Sequence, residues 1–174
     1  MSTAETQIIH TQLGPAFYDV VTPARFPQYI LRYRNQRAAA QIGLQDLSEE
    51  QFIDHFGRFT PLQGSLPEPL ALRYHGHQFG TYNPELGDGR GFLFAQYKDQ
   101  QTGHLLDLGT KGSGRTPYAR TADGRLTLKG GVREVLATEL LASLNVPTSQ
   151  SFSLIETGEA LSLIHISEPT RPNE

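Results

Sequence analysis

The chain has 174 residues, 37% hydrophobic and 19% charged, and no cysteine, which excludes disulfides, thiolate metal sites and iron–sulfur clusters and suits a reducing compartment. No run nears the ~20 apolar residues of a membrane span, and the first base is Arg25, so one soluble cytoplasmic domain of bacterial type, without signal or transit peptide, is expected. The net charge of −3 leaves the whole chain without an electrostatic footprint for nucleic acid.

Residues 1–66 read as an extended lead-in and a helical preface. Pro15, Pro23 and Pro27 punctuate the lead-in, whose one apolar piece is Phe17 to Val21, and no strong element is predicted there. Asn35 is placed to cap a helix running through Ala38, Ala39 and Ala40 to about Ile42, with Gly43 as its stop. Ser48 and Gln51 form a capping box ahead of an apolar stripe of Phe52, Ile53 and Phe56, closed by Gly57. Pro61, Pro67 and Pro69 mark the boundary to a second unit, residues 67–160.

That second unit is β-rich. Gly91 to Tyr97 and Leu105 to Lys111 are predicted as the two strands of a hairpin, with Lys98 to Gly103 as its turn. Val132, Val135, Leu136, Leu140 and Leu144 recur at three- and four-residue steps, the signature of an amphipathic helix ended by Asn145 and Pro147. With Val132 taken as the core direction, Glu134 lies roughly 160° round the helix and points elsewhere. Ser151 to Ile155 reads as a last strand. The fold class is therefore α+β, a small antiparallel sheet with a helix carrying Glu134.

Charge is unevenly distributed. Between Asp88 and Arg133 there are eight bases against four acids, net +4, while the rest of the chain carries −7. A basic middle in an acidic chain suits an anionic ligand, although charge runs are more often solvated faces. Glycines sharpen the reading. Gly87-Asp88-Gly89-Arg90-Gly91 opens the first hairpin strand, where backbone amides can approach a phosphate. Lys111 ends the second strand, and Glu134 follows 23 residues later in the first turn of the helix. A glycine-rich turn, a strand lysine and a helix glutamate, in that order, form the phosphate-positioning half of a kinase N-lobe. The carboxylate orients the ammonium before the phosphate arrives, and a pair at ~4 Å in an effective dielectric near ~20 interacts by about 4 kcal/mol before desolvation.

Three other readings compete. His75 and His77 alternate on a possible strand and would need His104 or His55 to complete a zinc site. A non-catalytic module binding RNA or another anion would use solvent-facing aromatics, and Phe92, Phe94 and Tyr97 do not decide it, since their alternation also suits a core face. An ordinary phosphotransferase N-lobe, passing on the γ-phosphate, has the same spacing.

Gly76-His77-Gln78-Phe79-Gly80, then Leu86 to Gly91, Lys111 to Arg120, Asp123-Gly124-Arg125 and Arg133-Glu134 closely resemble the selenoprotein O family of kinase-like protein adenylyltransferases, over about residues 38–159. The resemblance implies a pseudokinase fold that holds ATP in a flipped orientation and transfers AMP to Ser, Thr or Tyr hydroxyls of protein substrates. It implies nucleotide contacts from Gly87, Gly89, Arg90, Lys111, Asp123 and Gly124, with Glu134 holding Lys111 in the catalytic pair. It also implies Mg2+, whose Asn and Asp ligands, like the aspartate base and two further arginines, belong to a second lobe beyond this chain; no metal ligand is assigned here. The chain is thus expected to be an N-terminal fragment, inactive by itself, with neither nucleic acid nor membrane as partner. Residues 161–174 leave the family pattern, and Leu163 to Pro172 resembles translated adapter sequence, so this tail is expected not to be native.

Overall fold

The computed structural model describes residues 8–120 and 123–160; the questioned tail, 161–174, lies outside them. A short 3-10 turn, His10–Leu13, leads into β1 (Tyr18–Val20), β2 (Ile30–Arg34), α1 (Gln36–Gln41) and α2 (Glu49–Phe56). Then follow β3 (Leu70–Leu72), β4 (Gly76–Gln78), β5 (Thr81–Asn83), β6 (Gly91–Lys98), β7 (Leu105–Lys111), α3 (Leu128–Ser143) and β8 (Ser153–Glu156). The class is α+β, with an antiparallel sheet in the order β1-β3-β6-β7 and two-stranded sheets β2-β8 and β4-β5.

Both preface helices form where their caps place them. The Asn35 side chain accepts from the Ala38 amide at 3.1 Å, and Gly43 takes a φ of 76° just past α1. Ser48 and Gln51 satisfy each other's backbone amides at the start of α2. Phe52 and Phe56 from α2 then bury against Phe94, Ala95 and Tyr97 of β6, with Phe152 stacked on Phe52 at 5.1 Å between ring centroids. Residues on either side of the 66/67 boundary thus share one core.

The lead-in is more ordered than the sequence suggests. Tyr18 pairs with Leu72, and Ile30 with Glu156, so β1 and β2 are strands whose partners lie far along the chain. Three- to five-residue segments of mixed polarity give little local signal, and pairing decides their state. At the core, β6 is buried over six consecutive residues, whereas β7 is an edge strand with alternating exposure.

The β6–β7 turn is organised by Asp99, whose Oδ1 accepts from the Gln101 and Thr102 amides at 2.7 and 2.9 Å while Oδ2 accepts from the Gln41 side chain. The Gln41 contact, with the backbone amides, holds the Asp99 carboxyl at about 2, below its ordinary 3.8. A depressed carboxyl contributes stability that is present above its unfolded pKa and lost as pH falls through the folded one. Asp99→Ala is therefore expected to lower the urea midpoint at pH 7 and to flatten the wild-type loss of stability between about pH 4 and 2, as read by urea titrations across that range.

The α3 helix forms as predicted, capped by Thr127, which accepts from the Gly130 amide at 3.0 Å, and closed by Asn145 in the left-handed region. Its orientation is not the predicted one. Gly131 is the helix's buried residue and faces Leu154 of β8, with Glu134, Val135 and Thr138 on the same side. Val132, Leu136, Leu140 and Leu144 are exposed, at 44, 65, 60 and 63%. The core direction runs through Gly131, where a Cβ would stand 2.4 Å from the end of the Leu154 side chain. Glu134 consequently faces inward.

Candidate functional site

The β6–β7 hairpin and α3 bring the site together. Gly91 is directly opposite Lys111 in the ladder, so the glycine bend before β6 and the lysine ending β7 meet at one end of the sheet. The Gly112 amide donates to the Arg90 carbonyl at 2.9 Å, extending that register by one bond. From α3, Glu134 accepts a hydrogen bond from Lys111 Nζ at 2.6 Å.

This pair contributes little to folding. The side chains of Lys111 and Glu134 remain 49 and 42% exposed, and ion pairs so hydrated contribute ~0.2–1 kcal/mol, well under the Coulomb attraction of about 4 kcal/mol that holds before desolvation. Its consequence is geometric. The carboxylate fixes the ammonium in the lining of an open cleft of about 1110 Å³, to which Asp88, Gly89 and Gly91 of the bend, Glu134, and apolar residues including Phe92 and Leu108 also contribute. Such a cleft sets Lys111 and Arg125, among five carboxylates, beside an apolar wall, a concave shape that accommodates a small ligand with a polar and an apolar part.

The other candidate residues surround this end without all entering the cleft. Gly87, Arg90, Asp123 and Gly124 do not line it. The Arg90 guanidinium donates to the Arg125 carbonyl at 2.9 Å. Asp123 is exposed and turns the chain by accepting from the Arg125 amide at 2.8 Å. Gly124 is buried at a φ of 73° with the Gly114 backbone directly against it, the Gly114 amide donating to its carbonyl at 3.2 Å. Its lack of a side chain is required by that crossing of two backbones.

Sequence reasoning gave no role to two residues that line the cleft. Asp88 braces the bend, its Oδ2 accepting from the Leu72 amide at 3.0 Å while its own amide donates to the Leu72 carbonyl at 2.9 Å. Arg125 donates to Glu159 at 2.5 and 3.1 Å and lies over the Phe26 ring at 5.0 Å; the Glu159 carboxylate raises its pKa further. Both stand inside the glycine-rich motifs, each next to a glycine.

Each carboxylate lining the cleft has a partner within the chain. Glu134 is held by Lys111, Glu156 by Arg32, Glu159 by Arg125, Asp107 by Gln96 and Asp88 by a backbone amide. Among the described residues no three His, Cys, Asp or Glu side chains converge on a metal position. The zinc grouping is not assembled either: His75 contacts the Pro84 carbonyl at 2.8 Å, His55 the Thr60 carbonyl at 2.8 Å, and His77 packs edge-on to Tyr82. Phe92, Phe94 and Tyr97 are 1, 6 and 1% exposed, so they form core and offer no stacking platform to RNA. Among the described residues, no helix is long and apolar enough to cross a membrane.

The family model for the protein adenylyltransferase SelO matches residues 1–172. The chain belongs to the SelO family. Among SelO relatives, the protein nucleotidyltransferase YdiU of Trichodesmium erythraeum is 57% identical over 161 residues, 91% of this chain and 33% of the relative. That of Gloeobacter violaceus is 56% identical over 161 residues, 91% of this chain and 32% of the relative. The Vibrio parahaemolyticus protein is 38% identical over 148 residues, 83% of this chain and 29% of its own length. The chain thus spans about a third of the SelO relatives it matches.

Proposed function

We propose that this chain is the nucleotide-binding part of a protein adenylyltransferase, a kinase-like N-lobe that binds ATP so that AMP passes to Ser, Thr or Tyr hydroxyls of protein substrates. The observation that carries the reading is the 2.6 Å contact of Lys111 with Glu134, 23 residues apart, beside the glycine bend of a cleft. In the reaction the acceptor oxygen bonds to the α-phosphorus, the bond from that phosphorus to the oxygen bridging to the β-phosphorus breaks, and pyrophosphate leaves. Lys111, oriented by Glu134, neutralises phosphate oxygens, and the amides of the bend approach them, which suits the positive window around Arg90 and Lys111. The family match and the relatives' names favour nucleotidyl over γ-phosphoryl transfer, a choice on which the spacing is silent.

The chain spans about a third of its relatives and, among the described residues, no three His, Cys, Asp or Glu side chains converge on a metal position, so the 174-residue chain is proposed to bind nucleotide without transferring it. Mg2+ and the base that receives the acceptor proton are assigned to the remaining two thirds of the length seen in the relatives. The apolar stripe of Val132, Leu136, Leu140 and Leu144 is the surface assigned to that part. The test uses the full-length protein with ATP labelled at the α- or the γ-phosphate. Label from the α-position is expected on protein, and Lys111→Met is expected to abolish it. Transfer of the γ-label, or unchanged α-labelling by the variant, contradicts the proposal.

A further inference from the structure

The glycine bend is held from behind by a side chain that never reaches the cleft. The ring of Tyr118 lies directly on Gly87: a Cβ at that position would stand 2.6 and 2.7 Å from two of its ring carbons. A Cβ on Gly89 would stand 3.2 Å from the Tyr118 carbonyl, so the same residue backs both glycines. Its hydroxyl donates to Asp19 Oδ2. Asp19 is in turn gripped by Arg73, with Nε to Oδ2 at 3.0 Å and Nη2 to Oδ1 at 2.5 Å, and Arg73 is bridged through its backbone to Gly87. Thr116 completes the ring of contacts, its hydroxyl donating to the Asp88 carbonyl and accepting from the Tyr118 amide at 3.2 Å. Tyr118 is absent from the cleft lining, whereas Asp88, Gly89 and Gly91 form part of it.

We propose that Tyr118, anchored by Asp19 and Arg73, is a positioning residue that sets the glycine bend at the height from which its amides meet phosphate. This rests on the nucleotide-binding reading above and adds to it a remote control: strand β1, more than 60 residues before the bend, fixes the shape of the phosphate site. The glycines let the backbone come close, and they also leave it free to move. Tyr118 and Asp88 remove that freedom from two directions, so the amides are aimed before the ligand binds.

The test measures ATP and adenosine binding by calorimetry, with melting temperatures, on the chain and its variants. Tyr118→Phe keeps the ring on Gly87 and deletes the anchor. It is expected to weaken ATP about tenfold and leave adenosine within twofold, and Asp19→Ala is expected to do the same. Combining the two is expected to add nothing further, since both cut one link. Tyr33→Phe, which removes a hydroxyl bonded to Glu139 at 3.2 Å away from the bend, is the control and is expected to leave ATP binding unchanged. If Tyr118→Phe keeps ATP affinity within twofold, whatever its melting temperature, while Lys111→Ala weakens it tenfold or more, the positioning role is overturned and the nucleotide reading stands. If wild type does not bind ATP, or Lys111→Ala binds as wild type does, both are overturned.

Discussion

Lys111→Ala is expected to weaken ATP binding ten- to a hundredfold while lowering the melting temperature by less than about 4 °C. Both halves come from the same pair. A charge-assisted hydrogen bond to phosphate contributes about 1.5–3 kcal/mol, which at about 1.4 kcal/mol per decade is that range of affinity. The ion pair with Glu134 is half exposed, so its loss removes at most ~1 kcal/mol of folding energy, or about 2–4 °C for a domain of this size. The exchange variant Lys111→Glu with Glu134→Lys separates structure from binding. It rebuilds the ion pair in reverse, so a purely structural pair would tolerate it, yet the carboxylate on β7 would face phosphate. Calorimetric titration with ATP is expected to find the exchange variant as defective as Lys111→Ala; near wild-type affinity would mean that the pair only ties α3 to the sheet.

Gly124→Ala is expected to be the most damaging single substitution to stability, at roughly 3–5 kcal/mol, and so a large part of the stability of a small domain. A left-handed φ of 73° costs a side chain about 1–2 kcal/mol. The larger cost is steric. A Cβ there would occupy the position of the Gly114 carbonyl, and backbone cannot rotate aside as a side chain can. Opening the crossing also breaks the Gly114 amide bond to Gly124 and the Ser113–Arg125 bridge beside it. Denaturant midpoints check this directly. ATP binding by Gly124→Ala is expected to be lost only in proportion to the unfolded fraction, which separates a backbone role from direct contact with nucleotide.

What could be read from the residues was what is local. Asn35, and Ser48 with Gln51, announce their helices because a cap and its amide partner lie within three residues. The β6–β7 hairpin was legible for a similar reason, two apolar runs about a short polar turn. Strands β1 and β2 were not, since Tyr18 and Ile30 become strand residues only through Leu72 and Glu156. The same limit explains α3: periodicity marks an apolar stripe, but which face meets the core depends on the packing of Gly131 against Leu154, 23 residues on. At the site, order and spacing led to Lys111 and Glu134, and the structure joins them. Tyr118 and Asp19 escaped notice because they are 99 residues apart and neither bears on a glycine until the chain has folded.

The most direct measurement is the affinity of the 174-residue chain for adenosine, AMP, ADP and ATP in turn, repeated with Lys111→Ala. The account predicts affinity that climbs with each phosphate in the wild type and a nearly flat series in the variant. A flat wild-type series, or an equally steep climb without Lys111, would contradict it.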